Sequence, residues 1–326
     1  MSRMIKTLIK LFFSSLIIIY LFSQTPIDRV LESLGKVKID YILIAGFLYL
    51  MAQVLSAYKW SLIARPLGFK RKFINMVGYY FIGMFFNLFM LGSIGGDVVR
   101  AYYLGGKSKR IIPAGYSIFI ERYTGGLALI TILSIALLVS FKENTIPAFA
   151  SWSIIGGTVI IWLITIFIPK ILIFFPRIKK WGEKISLQKM KIYWDNPQLI
   201  RGPILISFLF QTIFIFIIVL VGWGFGIKVP FYHFFIFVPL GDLLSILPIT
   251  LNGIGLREGC YVFFLHLKGI DTSVALAFSL ICLVVVWGVS LLGGLVYLFG
   301  NFDRKEVISS VSVQSLKEVE VKTSFT

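Results

Sequence analysis

The sequence predicts an all-α polytopic membrane protein with about six full spans, two re-entrant helical hairpins and an inverted internal repeat. Three observations predict it: the composition, the way charge is shared among the links between apolar runs, and a self-match at a fixed offset. Of 326 residues, 58% are hydrophobic and 14% charged, and the mean hydropathy is +0.90. Soluble domains run near half apolar and a quarter charged, so lipid is the solvent this chain is built for. Net charge is +17, with 32 basic and 15 acidic residues. In a membrane chain that excess points to cytoplasmic loops and anionic headgroups, and away from nucleic acid. Cys260 and Cys282 both lie in apolar segments and make neither a disulfide framework nor a metal site.

Taken in order, eight hydrophobic segments stand out, at about 8–23, 41–62, 73–94, 113–140, 149–175, 202–225, 231–250 and 272–299. Several reach the ~20 apolar residues that cross a bilayer. The first follows a basic start, as a signal peptide does, but no A-x-A-like cleavage site follows it, so a retained span is expected. Residues 251–270 read as an apolar-rich connection holding Arg257 and Glu258. Residues 1–300 form one membrane domain, with repeat halves at about 41–140 and 199–299, and 301–326 read as a polar, disordered cytoplasmic tail.

Charge sorts the links. Residues 63–72 carry Arg65, Lys70, Arg71 and Lys72 and no acid; 95–112 carry Arg100, Lys107, Lys109 and Arg110 against Asp97; 170–201 carry eight basic residues against Glu183 and Asp195. By contrast 24–40 balances three bases with three acids, and 141–148 sets Lys142 against Glu143. Eight single crossings would scatter the basic links over both sides. If 73–100 enters from the cytoplasm and returns, and 231–268 does the same from outside, every basic link and both termini are cytoplasmic, as the positive-inside rule requires. Long loops that break the rule, or misplaced segments, are the alternative.

Sliding the chain by 158 residues sets Gln53 on Gln211, Gly68 on Gly226, Lys70 on Lys228, Gly83 on Gly241, Gly95 on Gly253 and Tyr103 on Tyr261. With the re-entrant topology this becomes an inverted repeat, a plan that places a substrate site near the bilayer midplane between broken helices. The breaks fall at Gly95 and Gly96 in one half and at Asn252, Gly253 and Gly255 in the other. Amide N–H groups at such a helix start suit phosphate.

Ionisable residues inside a membrane segment cost ~2.5–3.5 kcal/mol each at the bilayer centre, so they are the candidate site. Arg100, Arg257 and Arg122 are expected to hold a lipid phosphate through their forked donors. Asp97, Glu121, Asp242 and Glu258 are expected to balance them or to bind a headgroup amine. The plainer reading of all seven is interhelical pairing or snorkelling, and Asp97 and Asp242 also fit helix caps. Lys59 fits snorkelling beside Trp60, with a headgroup contact as the lesser reading. His233 and His266 stand alone, so no metal is expected, and no base is placed to activate a nucleophile. The Gly pairs at 125–126, 156–157 and 293–294 read as close helix packing.

The residues Lys59-Trp60, "GSIGGDVVR", "ERYTGG" and "LPITLNGIGLRE" resemble the lysylphosphatidylglycerol synthase membrane region, a family of flippase-like integral membrane proteins, over about residues 5–300. Ser93 lies where that family usually has a proline before the paired glycines, Asn252 where a proline often precedes glycine, and Glu121 where aspartate is commoner. The resemblance implies movement of a charged or glycosylated lipid between leaflets of the cell membrane: an anionic phospholipid, aminoacylated or not, or a polyprenyl-phosphate lipid. It implies a place in envelope lipid modification or cationic-peptide resistance. Fused members carry a soluble aminoacyl-transferase domain after the membrane part; here a short tail follows, so the chain is expected not to make the aminoacyl ester and to need no cofactor. The alternative is a membrane component or scaffold for a separate synthase or glycosyltransferase.

Overall fold

The computed structural model describes residues 3–90, 95–106, 110–141, 146–174, 191–247, 249–250 and 253–300. Among them lie twelve α-helices. The first, α1 (Arg3–Ser23), turns into α2 (Ile27–Gly35), with a bend of 85° between Lys10–Ser23 and Ile27–Gly35. Then come α3 (Ile39–Ala64), α4 (Phe73–Phe89), α5 (Gly95–Gly105), α6 (Ile111–Val139) and α7 (Ala148–Phe174). A short α8 (Lys191–Asp195) leads into α9 (Gln198–Gly224), α10 (Phe234–Ile246), α11 (Leu256–Leu267) and α12 (Thr272–Phe299).

Five of these are long and apolar enough to cross a bilayer: Ile39–Ala64, Ile111–Val139, Ala148–Phe167, Gln198–Gly224 and Thr272–Phe299, with the bent α1–α2 pair as a sixth if it counts as one span. Their outward faces carry Ile39, Leu43, Phe47, Phe149, Ile160, Ile166, Leu205 and Phe299, all exposed. A face that apolar is stable only against lipid. α4 and α10, with 17 and 13 residues, are too short to span alone. Two elements depart from the expected segments. Residues 256–267, expected as a connection, form α11, and 27–35, expected as a loop, form α2. In α2 the apolar residues Ile27, Val30, Leu31 and Leu34 fall at helical spacing among charged ones, which marks a helix lying along a surface.

The helices fall into two sets. α3, α4, α5 and α6 pack with one another as α9, α10, α11 and α12 do, and the sets join where α3 meets α9, α4 meets α12 and α6 meets α10. At the offset of 158 each of these contacts has its counterpart. The ends of α3 and α9 match in detail. Gly68 and Gly226 take positive φ of 86° and 69°. Phe69 N donates to Ala64 O (3.2 Å) and Ile227 N to Gly222 O (2.9 Å), so each left-handed glycine closes its helix in the same way.

The links gather at two opposite ends of α3. At its C-terminal end Arg110 Nη2 donates to Leu67 O (2.6 Å) and Arg71 Nη2 to Leu104 O (3.5 Å), while the Tyr193 hydroxyl donates to Ile63 O. Residues 63–72, 105–106, 110 and 191–197 therefore share one end. At the N-terminal end Lys38 N donates to Gly224 O (3.0 Å), and Arg29, Lys36, Phe225 and Asp271 line one cleft of about 280 Å³.

Candidate functional site

α5 is held against α4 by an approach that only glycine permits. A Cβ on Gly83 would lie 2.6 Å from Arg100 Cδ and 3.0 Å from Gly96 O, and one on Gly96 would lie 2.6 Å from Asn87 Cγ. The missing side chains let Arg100 run across α4 into the interior. There its guanidinium carbon sits 4.3 Å from the ring centroids of both Trp60 and Tyr80. Such cation–π contacts contribute ~0.5–2 kcal/mol each, more when desolvated.

Around Arg100 five charged side chains form one chain of contacts. Glu121 Oε2 accepts from Arg100 Nη1 and Nη2, both at 3.2 Å. Glu121 Oε1 lies 3.2 Å from Lys59 Nζ. Lys59 Nζ also donates to Glu121 O (3.1 Å) and to Ser207 Oγ of α9 (3.2 Å). On the other flank Arg100 Nη1 reaches Asp97 Oδ1 at 3.5 Å, and Asp97 Oδ2 pairs with Arg122 Nε. Lys59, Arg100 and Glu121 are buried at 3%, 5% and 6% exposure, whereas the Arg122 side chain is 47% exposed. The network thus runs from a sealed interior to a half-open rim. Three cations and two carboxylates make up these contacts.

The second cluster lies across the other break. Arg257 Nε of α11 meets Asp242 Oδ1 of α10 at 3.1 Å, off the axis of a hydrogen bond, so neither of those buried atoms has a hydrogen-bond partner. The buried hydroxyl of Tyr261, one turn from Arg257, lacks one too. Gly253 and Gly255 take positive φ of 78° and 91°, the left-handed region that bends the chain into α11. Gly241, 158 residues after Gly83, plays the same part: a Cβ there would lie 2.9 Å from Tyr261 Cε1 and 3.5 Å from Arg257 Cγ.

The structure brings Lys59, Asp97, Arg100, Glu121 and Arg122 together and pairs Asp242 with Arg257. Several expected roles change. Lys59 does not snorkel; Glu121 and Ser207 hold it inside. Asp97, in the first turn of α5, pairs with Arg100 and Arg122, and Asp242, inside α10, pairs with Arg257. Glu258 caps α11, its Oε2 accepting from Gly255 N at 2.6 Å, and Asn87 Oδ1 does the same for Gly96 N at 2.7 Å. Those two amides, expected to be open to phosphate, are therefore occupied. Asn252 lies outside the described residues, as do the residues between Met90 and Gly95. Of the glycine pairs only 293–294 packs tightly, with a Gly293 Cβ 2.6 Å from Phe81 C; Gly156 and Gly157 have nothing within 4 Å. Trp60, Tyr80, Ser207 and Asn87 are the site residues that sequence reasoning missed, and only Trp60, beside Lys59, carried a local signal.

Two further cavities, the 280 Å³ cleft and an apolar groove of about 530 Å³ between α1, α7, α10 and α11, are lined by neither Arg100 nor Arg257. Among the described residues no group of His, Cys, Asp and Glu is arranged to hold a metal.

These features define a multi-pass helical membrane protein with two buried charge clusters beside two glycine breaks. The chain belongs to the lysylphosphatidylglycerol synthase TM region family, which it matches over residues 7–294. It is similar to the UPF0104 membrane protein MJ1078 of Methanocaldococcus jannaschii, 30% identical over 225 residues that cover 66% of this chain and 93% of that one. It is also similar to the UPF0104 membrane protein MJ1595 of the same organism, 29% identical over 105 residues, 31% of each chain.

Proposed function

We propose that this protein binds the anionic headgroup of a membrane lipid, a phospholipid or a polyprenyl-phosphate lipid, and carries it between the leaflets of the cell membrane. The observation that carries this reading is the buried charge network of Lys59, Arg100, Glu121 and Asp97, opening at Arg122. Charges held in an apolar interior cost several kcal/mol unless they are paired, and an anion entering at the rim adds to that pairing. A phosphate offers that anion and fits the forked donors of arginine. Asp97 and Arg122 are the members that a headgroup reaches first.

The topology supports carriage rather than static binding. Taking 73–105 and 231–267 as re-entrant from opposite faces makes the two helix sets an inverted repeat, and rocking of such halves about a fixed site is how alternating access works. Arg100 then serves the cytoplasmic side, which the basic links mark, and Arg257 the outer side. Both chain termini lie in the cytoplasm. Membership of a family named for a synthase keeps a second reading in view, in which the basic end docks a lipid-modifying transferase.

Purified protein in phosphatidylcholine vesicles, with trace phosphatidylglycerol or polyprenyl phosphate labelled in one leaflet, tests the proposal. Transfer of label well above protein-free vesicles is expected, falling in the Arg100→Ala, Arg257→Ala double variant. Equal rates for wild type and double variant across both lipids would refute it. Headgroup modification only after a transferase is added would favour the second reading.

A further inference from the structure

One face of α3 carries a row of side chains that starts at the Arg100 site and runs toward the cluster that holds Tyr261. Tyr49, Gln53, Ser56 and Trp60 follow the spacing i, i+4, i+7, i+11, which places them in a row along a helix. All four are buried, at 7%, 4%, 2% and 0% exposure. A buried polar row inside a long apolar helix needs a reason, because leucine would serve packing alone. Eleven residues at 1.5 Å rise give a row of roughly 16 Å, about half the hydrocarbon thickness.

Each end of the row meets one cluster. At the basic end the Trp60 ring lies under the Arg100 guanidinium, and its Nε1 donates to Ser117 Oγ at 2.9 Å. The Tyr80 ring covers the other face of that guanidinium, and Ser56 is buried one turn from Trp60. At the far end Tyr49 shares one buried cluster with Tyr261, which lies one turn from Arg257. There the buried Arg257 Nε and Tyr261 hydroxyl lack hydrogen-bond partners. Indole, hydroxyl, amide and phenol thus follow one another along α3 from the Arg100 cluster toward the Arg257 cluster.

We infer that the Tyr49–Gln53–Ser56 face, with Tyr80 beside it, is the track along which a phosphate-bearing headgroup passes between Arg257 and Arg100. Phenol, amide and hydroxyl groups donate hydrogen bonds to phosphate oxygens and, being neutral, do not trap it. The arginines bind; the neutral row carries. This rests on the lipid-carrier reading.

The test compares wild type, Tyr49→Phe, and the triple variant Tyr49→Phe, Gln53→Leu, Ser56→Ala in phosphatidylcholine vesicles with trace phosphatidylglycerol labelled on its acyl chain. Transfer is read by reductive bleaching of the outer leaflet. Lipid retained per protein is counted by native mass spectrometry, and thermal midpoints are recorded. A lost hydrogen bond is worth up to about a tenfold factor, so the triple variant is expected to slow transfer at least about tenfold, and Tyr49→Phe about threefold. Retained lipid and midpoint should stay at the wild-type level, because both arginines remain. Wild-type transfer in the triple variant overturns the track and leaves the carrier reading standing. Loss of retention and midpoint together, with Tyr49→Phe unchanged, assigns the row to packing and also overturns it. No transfer by wild type refutes the carrier reading itself, and the track with it.

Discussion

Glu121 is the residue on which the first cluster depends, since it touches both Lys59 and Arg100. Glu121→Gln would leave three cations facing Asp97 alone. Removing one partner of a buried pair strands the other, and a loss of about 3–5 kcal/mol is expected. Adding Lys59→Met to Glu121→Gln should recover part of it, because the two share one contact; denaturation midpoints in detergent for the four members of the cycle check this, and strict additivity would contradict the pairing. How much of this was legible is instructive. The charged members stood out because lipid makes charge rare. Their pairing did not, since Lys59 meets partners 62 and 148 residues away in sequence. Seen alone, a lysine near the end of an apolar run points to snorkelling. Tyr80 and Ser207 sit in apolar runs where nothing local sets them apart.

At the scale of elements, glycine positions separate close approach from mere tolerance. Gly83→Ala would force a methyl against Arg100 Cδ and Gly96 O, and a loss of about 1–3 kcal/mol is expected, together with slower lipid transfer. Gly156→Ala, in open space on α7, should be neutral or stabilising by up to about 1 kcal/mol. Thermal midpoints of the two variants settle the contrast; equal loss in both would contradict it. The sequence showed glycine pairs but not which faced a neighbour, because that depends on helix rotation. Asp271 caps α12, accepting from Ser273 N at 2.8 Å, and this bond holds its carboxyl below the ordinary range. Its stabilisation is therefore full above the ordinary carboxylate pKa and fades as pH falls through the lowered folded value. Asp271→Ala should cost about 1 kcal/mol near neutral pH. That difference should shrink below about pH 4, as measured by denaturation at a series of pH values.

For the whole molecule, hydropathy and charge together carried most of the architecture. Hydropathy found the long helices, five of which are long and apolar enough to cross a bilayer. The short helices were harder. α11 holds Arg257, Glu258 and His266, which lower its hydropathy, and only tertiary cover makes a helix there stable. The orientation is testable with single cysteines in a variant lacking Cys260 and Cys282. Lys70→Cys and Arg201→Cys should react with an impermeant maleimide from the cytoplasmic side, and Lys36→Cys and Lys228→Cys from outside. Labelling of Lys70 and Lys228 positions from the same side would contradict the inverted arrangement.

The central claim is that a lipid phosphate occupies the polar interior between the two arginines. The most direct measurement is an experimental structure in lipid nanodiscs containing phosphatidylglycerol. The account predicts phosphate density within hydrogen-bond distance of Arg100 or Arg257, beside the α3 face that carries Tyr49 and Gln53. Lipid density confined to the outer apolar surface, with Arg100 still closed on Glu121 and Arg257 on Asp242, would contradict it.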